Sequence, residues 1–168
     1  MDKKITYIIL DIDGVLTTNK QFNTNKKKFM EKYEWAGKLK VPYPFDPKCV
    51  EILNDILIQT DAEIILSSDW KLYWTIPQLD IIFKNNGVIK SPIDVTTEDL
   101  VSMSHMERNR AYQIKTYIKK NKLENFVILE DLNIIDFILD YSKQLVRTTN
   151  SEGLKQCSVK DKIINILK

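Results

Sequence analysis

The sequence predicts an α/β protein: a three-layer sandwich with helices on both faces of a mostly parallel sheet. Short β-branched runs, Ile5–Leu10, Glu63–Leu66, Phe126–Leu129 and Gln144–Arg147, recur between longer amphipathic stretches. These runs are continuously apolar rather than alternating, the pattern of strands buried on both faces and therefore parallel. Strand–helix alternation then implies right-handed crossovers. With 168 residues, 43% of them hydrophobic, the chain has enough apolar material for one compact core.

The helices follow from spacing and end signals. Asp46-Pro47 reads as an N-cap and first turn, with Val50, Leu53, Ile56 and Leu57 following at helical spacing. Trp70 to Asn86 carries a helical pattern interrupted at Pro77 and closed by Asn85-Asn86-Gly87. Arg108 to Lys122 places Ile114, Tyr117 and Ile118 on one face and lysines on the other. Lys160 to Lys168 forms a short terminal helix. Residues 17–45 fit none of this. They hold the run Lys26-Lys27-Lys28, the aromatics Phe29, Tyr33, Trp35 and Tyr43, and two prolines before Phe45. We read them as an insert after the first strand, forming a flap over the site. No repeat or linker divides the chain, so residues 1–168 read as one domain.

Composition excludes several classes. Lys+Arg 25 against Asp+Glu 23 leaves a net charge of +2, which is neither histone-like nor that of an acidic tail. Two cysteines cannot build a secreted disulfide scaffold. Four glycines, with neither a GxGxxG nor a GxxxxGKS/T loop, remove the usual signs of dinucleotide and P-loop binding. The apolar run before Asp11 is too short for a signal peptide or a membrane span, and no later stretch reaches about 18 apolar residues. The expectation is a cytoplasmic domain without membrane contact.

The densest chemical signal is Ile8-Ile9-Leu10-Asp11-Ile12-Asp13-Gly14-Val15-Leu16-Thr17. Two carboxylates stand two residues apart where a buried strand runs out. In open α/β sheets ligands bind beyond the carboxyl ends of the strands. A calcium loop also begins D-x-D-G, but no acidic ligand series follows Gly14. Three further pieces lie downstream. Ser67-Ser68-Asp69-Trp70-Lys71 follows the run Ile64-Ile65-Leu66; a serine there also serves as a helix N-cap. Arg110 opens a helical segment, with Arg108 as its competitor. Val127-Ile128-Leu129, a buried strand, ends in the two acids Glu130-Asp131.

This ordered set resembles the haloacid dehalogenase (HAD) superfamily of phosphotransferases. Ser-Ser-x-Trp-Lys and Arg110-Ala-Tyr-Gln-Ile further resemble its small branch associated with RNA-repair (Swiss Army Knife) proteins. So do the closing strand Leu145-Val146-Arg147-Thr148-Thr149 and the following Gly153-Leu154. The resemblance runs from about Ile5 to Leu154 and implies a Rossmann-like fold. It implies that Asp11 is the nucleophile, that Asp13 is the general acid and base, and that Ser67 bonds the phosphoryl oxygens. It also implies that Arg110 offsets negative charge. Asp11, the Asp13 carbonyl and the Glu130-Asp131 pair would hold Mg2+, with Asp131 the direct ligand because Glu130 is one methylene longer. Ser68, Lys71 and Trp35 are candidate substrate contacts. Lys71 stands where the branch usually has Arg, keeping the charge but losing the bidentate fork. Asp136 is a spare acid. His105 lacks partners for zinc, and Cys49 reads as core.

The resulting expectation is a Mg2+-dependent phosphomonoesterase working through an aspartyl-phosphate. Aromatics interleaved with lysines in residues 17–45 point to a nucleotide or a polynucleotide 3′-phosphate end. Alternatives are a phosphatase of small sugar phosphates and a HAD-fold protein that binds nucleic acid or a partner without catalysis; intact Asp11 and Asp13 argue against the latter. Dehalogenase chemistry generally lacks the second Asp, and mutases need a substantial cap.

Overall fold

The computed structural model describes residues 4–96 and 106–168; His105 lies outside them. Five strands are present: β1 (Thr6–Leu10), β2 (Glu63–Leu66), β3 (Pro92–Val95), β4 (Asn125–Glu130) and β5 (Leu145–Arg147). They form one sheet, every neighbouring pair parallel, in the order β3-β2-β1-β4-β5. The fold is therefore the expected Rossmann-like α/β sandwich, with β1 at its centre. The sequence reading missed β3. This edge strand has only four residues, starts with a proline and carries Asp94, and its register against β2 shifts between Ile64 and Ile65. Without a continuous apolar run it leaves no strand signature.

Seven helices complete the described chain: α1 (Asn19–Phe22), α2 (Lys26–Lys32), α3 (Glu34–Leu39), α4 (Pro47–Thr60), α5 (Ile76–Asn85), α6 (Met106–Asn121) and α7 (Val159–Leu167). Pro77 does not break a helix. It lies in the first turn of α5, behind a Thr75–Gln78 capping box, where its missing N–H costs nothing. The segment before it, Asp69–Leu72, is a separate 3-10 turn.

The period-2 geometry of strands sorts the core into two layers. Ile8, Leu10, Ile64, Leu66, Val127 and Leu129 face α4, α5 and α7, represented by Leu53, Ile82 and Ile163. Ile9, Ile65 and Ile128 face Ile114 and Ile118 of α6. Residues 17–45 are built into the first layer: Phe29, Ala36, Val41 and Phe45 are buried with it. The insert is thus anchored in the core it shares with the sheet and α4.

Register positions the site. Leu10 of β1 is level with Leu66 of β2 and with Leu129 of β4. The next residues, Asp11, Ser67 and Glu130, therefore emerge as one row at the carboxyl edge. The ladder continues through that row, since Asp11 N–H donates to Leu129 O at 3.0 Å and Ser67 N–H to Leu10 O at 2.7 Å. Successive connections leave β1 toward β2 on one side and reach β4 on the other. The row thus sits at the topological switch point, where open α/β sheets bind ligands.

The Asp46 cap links α4 to the chain's end. Its Oδ1 accepts from Lys48 N–H and Cys49 N–H, and its Oδ2 from Lys155 Nζ at 2.6 Å. Burial alone would raise this carboxyl. The Lys155 and Lys48 hydrogen bonds outweigh it and hold the group below its ordinary value. Asp46→Ala is expected to cost about 1–2 kcal/mol in urea unfolding at neutral pH, and Asp46→Asn less. Because the folded carboxyl titrates below the unfolded one, near pH 4, the ionic share is complete above that pH. It is lost as pH falls through the folded value, so the gap between wild type and Asp46→Ala narrows in acid.

Candidate active site

The row at the sheet edge brings acids together in a nearly dry place. Asp11 is buried and Glu130 is 0% exposed, while Asp131 is half-buried. One carboxylate oxygen from each of Asp11, Glu130 and Asp131 lies within 4.8 Å of the others. Gly14 makes room for this. A Cβ there would come within 2.5 Å of Asp131 Oδ2, and its φ of +77° is one that side chains resist. Thr148 Oγ1 donates to Gly14 O at 2.7 Å and ties this turn to the segment after β5.

Arg110 answers the acids. It projects from α6 and is 6% exposed. Nη1 reaches Glu130 Oε2 at 2.7 Å and Asp11 Oδ1 at 3.4 Å, and Nη2 reaches Asp69 Oδ1 at 2.9 Å. The other Glu130 oxygen, Oε1, accepts the N–H groups of Asp131 and Leu132, donors left over where β4 ends. Burial raises the Asp11 carboxyl, against the pull of Arg110. Burial and then the Asp11 charge push Glu130 well above the ordinary range. Burial would lower Arg110, but Glu130, Asp11 and Asp69 more than reverse that and keep it charged.

Asp13 is held separately. Its Oδ1 accepts from Thr17 Oγ1 at 3.0 Å and from Tyr43 OH at 3.1 Å, and its Oδ2 accepts from Trp70 Nε1 at 3.1 Å. Burial raises its carboxyl, partly offset by the Trp70 bond. Tyr43 comes from the insert and Trp70 from the turn after β2, so three segments fix one carboxylate. Beside it opens a cleft of about 630 Å³ whose lining includes Asp13, Lys26, Lys40, Tyr43, Tyr73 and Trp74.

The structure brings most of the sequence-derived residues together. Asp11, Asp13, Glu130, Asp131 and Arg110 converge; Arg108 is exposed. Ser67 and Ser68 are both buried. Ser68 lies close enough to Asp11 to favour its charged form, whereas Ser67 Oγ accepts from Thr96 Oγ1 at 3.4 Å. Lys71 Nζ donates to Thr96 Oγ1 at 2.8 Å and Gln113 Oε1 at 2.6 Å, a network that ends at Ser67. Trp35 is not brought to the cleft. It packs edge-on against Phe29, ring centroids 6.0 Å apart, and lines a separate groove with Lys28. It is half-buried against the core that the insert shares with the sheet. Asp136 is exposed on a 3-10 turn outside the acid cluster. Cys49 is core, and burial pushes its thiol up.

Sequence reading missed Tyr43, Thr17, Asp69, Thr96 and Gln113 as members of this network. Trp70 was visible in the Ser-Ser-x-Trp string, but its bond to Asp13 was not. Nothing local announces contacts that span 30 or 57 residues.

A sheet with acids massed at its switch point and a cation from a flanking helix is the layout of HAD-type phosphotransferases. The family model described as the HAD domain in Swiss Army Knife RNA repair proteins matches residues 7–159, and the chain belongs to that family. The family supports a HAD-type phosphatase in general. No curated protein and no solved structure matches the chain.

Removing Arg110 leaves Glu130 and Asp11 buried without their counter-charge. Arg110→Met is expected to lower stability by about 3–5 kcal/mol in EDTA, measured by urea unfolding. Combined with Glu130→Gln, it should cost less than the two single changes summed, because they share one interaction.

Proposed function

We propose that this chain is a Mg2+-dependent phosphomonoesterase acting through an aspartyl-phosphate on Asp11, with a nucleotide or polynucleotide 3′-phosphate as substrate. The observation that carries the reading is the row Asp11–Glu130–Asp131 beside Asp13, two carboxylate systems kept apart by different partners. Asp11 and Glu130 share the Arg110 guanidinium with Asp69 while Asp131 stands beside them, so acids outnumber the cation there. Hard oxygen donors so close together fit a divalent cation. Asp11, Asp131 and the Asp13 carbonyl are the groups that would hold it. Glu130, tied down by Arg110 and two amides, lies in support. When bound, Mg2+ supplies positive charge where the phosphoryl oxygens gather it.

The residues divide the chemistry as follows. An Asp11 oxygen attacks phosphorus, and the bond from phosphorus to the leaving oxygen breaks. Asp13 gives that oxygen its proton. The same carboxylate then takes a proton from water as the water attacks the phosphorus, releasing inorganic phosphate and restoring Asp11. Arg110 and the Ser67 hydroxyl, with its Lys71-bound neighbour Thr96, offset charge and bond the phosphoryl oxygens. The RNA-repair family supports a phosphorylated nucleic-acid end as the substrate. Among the described residues no helix is long and apolar enough to cross a membrane.

A panel of nucleoside 3′-phosphates, 3′-phosphate oligonucleotides and sugar phosphates, assayed with Mg2+ or EDTA, tests the reading. Turnover should require Mg2+, favour the nucleotide substrates, and fall at least about 100-fold in Asp11→Asn. A folded Asp11→Asn that keeps more than that overturns the covalent route. Turnover that EDTA leaves unchanged overturns the metal. In metal titrations Asp131→Asn should weaken Mg2+ binding more than Glu130→Gln, because Glu130 is already committed to Arg110.

A further inference from the structure

The cleft beside Asp13 has a wall and a charge pattern that the phosphoryl chemistry does not use. Its wall is the outer end of a chain of aromatic contacts. Phe83–Phe45 lie 5.3 Å apart, Phe45–Trp70 5.6 Å, Trp70–Trp74 4.8 Å and Trp74–Tyr73 5.7 Å between centroids. Phe83 is 0% exposed and Tyr73 is 73% exposed. Trp74 cannot swing, because its Nε1 donates to Leu39 O at 2.8 Å. Trp74 is thus anchored through the core, with the exposed Tyr73 ring packed against it at the cleft's edge, and a planar ligand meets a wall already half in place.

Two of the insert's lysines are paired and two others reach the cleft. On the outer surface of the insert, Lys27 faces Glu31 and Lys38 faces Glu34. Lys26 and Lys40 line the cleft, and among the described residues neither ammonium has an acidic partner. Two unpaired cations beside an anchored aromatic wall suit a base and a backbone phosphate.

We propose that this cleft seats the terminal nucleoside of a single-stranded polynucleotide end. Its base stacks on Tyr73 and Trp74, and its 5′-phosphate meets Lys26 and Lys40 while its 3′-phosphate faces Asp11. This rests on the phosphatase reading and narrows it: the preferred substrate unit is a nucleoside 3′,5′-bisphosphate, not a 3′-monophosphate or a sugar phosphate. The base platform is made by the turn after β2 and its lysines by the insert, which replaces Trp35 in that role.

The test compares kcat/KM for a nucleoside 3′,5′-bisphosphate, the matching 3′-monophosphate and p-nitrophenyl phosphate. Wild type should favour them in that order, and the advantage of the bisphosphate over the monophosphate should shrink with added salt. Tyr73→Ala should lower the ratio of either nucleotide to p-nitrophenyl phosphate by about 5- to 150-fold, the equivalent of ~1–3 kcal/mol. Tyr73→Phe should restore it. Lys26→Ala with Lys40→Ala should erase the bisphosphate advantage. Tyr33→Ala, an exposed ring outside this cleft, should leave all three rates alone. Tryptophan fluorescence of Asp11→Asn titrated with the bisphosphate gives a binding readout without turnover, and the lysine changes should weaken it. Wild type that cleaves p-nitrophenyl phosphate with Mg2+ yet treats the two nucleotides alike overturns this inference alone. So does Tyr73→Ala that leaves the ratio unchanged. Wild type that cleaves no phosphomonoester overturns the phosphatase reading itself.

Discussion

Placing three carboxylates, two buried and one half-buried, within 4.8 Å of one another is unfavourable unless positive charge is brought to them. Much of the molecule is arranged around that requirement. The central strands set the row, because the matched ends of β1 and β4 leave Asp11 and Glu130 side by side. Helix α6, packed on the face that Ile9 and Ile128 present to it, then delivers Arg110, and spare amides at the end of β4 take the remaining Glu130 oxygen. One guanidinium does not balance three acids. The residual negative charge is what the proposed Mg2+ would offset, and with that cation in place the edge would accept a phosphate.

Asp13 belongs to a different environment only two residues away. Its partners are neutral donors, a phenol, an indole and a hydroxyl, so it keeps an oxygen environment able to give and take a proton, as the proposed mechanism asks. The same Trp70 that bonds Asp13 is a link in the aromatic chain reaching the cleft. Tyr43 sits between Phe22 and Trp70. The insert therefore holds Asp13, the proposed acid–base group, as well as part of the cleft wall, and its packing and the site's geometry are one construction.

Much of this was legible in the residues. The apolar runs of β1, β2 and β4 and the acids at their ends predicted the parallel sheet and the family. Asp46-Pro47 announced α4. The choice of Arg110 over Arg108 was also available: Arg110 is four residues before Ile114 and shares the buried face of α6 with Tyr117 and Ile118, whereas Arg108 does not. What could not be read depends on tertiary contact. β3 is a short polar edge held by its neighbour, and Pro77 reads as a breaker until Thr75 is seen to cap the helix. Trp35 and Trp74 look alike in sequence. Only packing turns the first toward Phe29 and the second toward the cleft.

The central claim is that Asp11 carries the phosphoryl group between two displacements. The stereochemical course at phosphorus tests it most directly, using a phosphorothioate monoester with two oxygen isotopes on phosphorus, hydrolysed by the Mg2+-loaded enzyme in water of the third isotope so that the thiophosphate released is chiral. Two in-line displacements, first by Asp11 and then by water, each invert the phosphorus and together restore its configuration. The account predicts net retention. Net inversion would mean that water attacks the substrate directly and would contradict it.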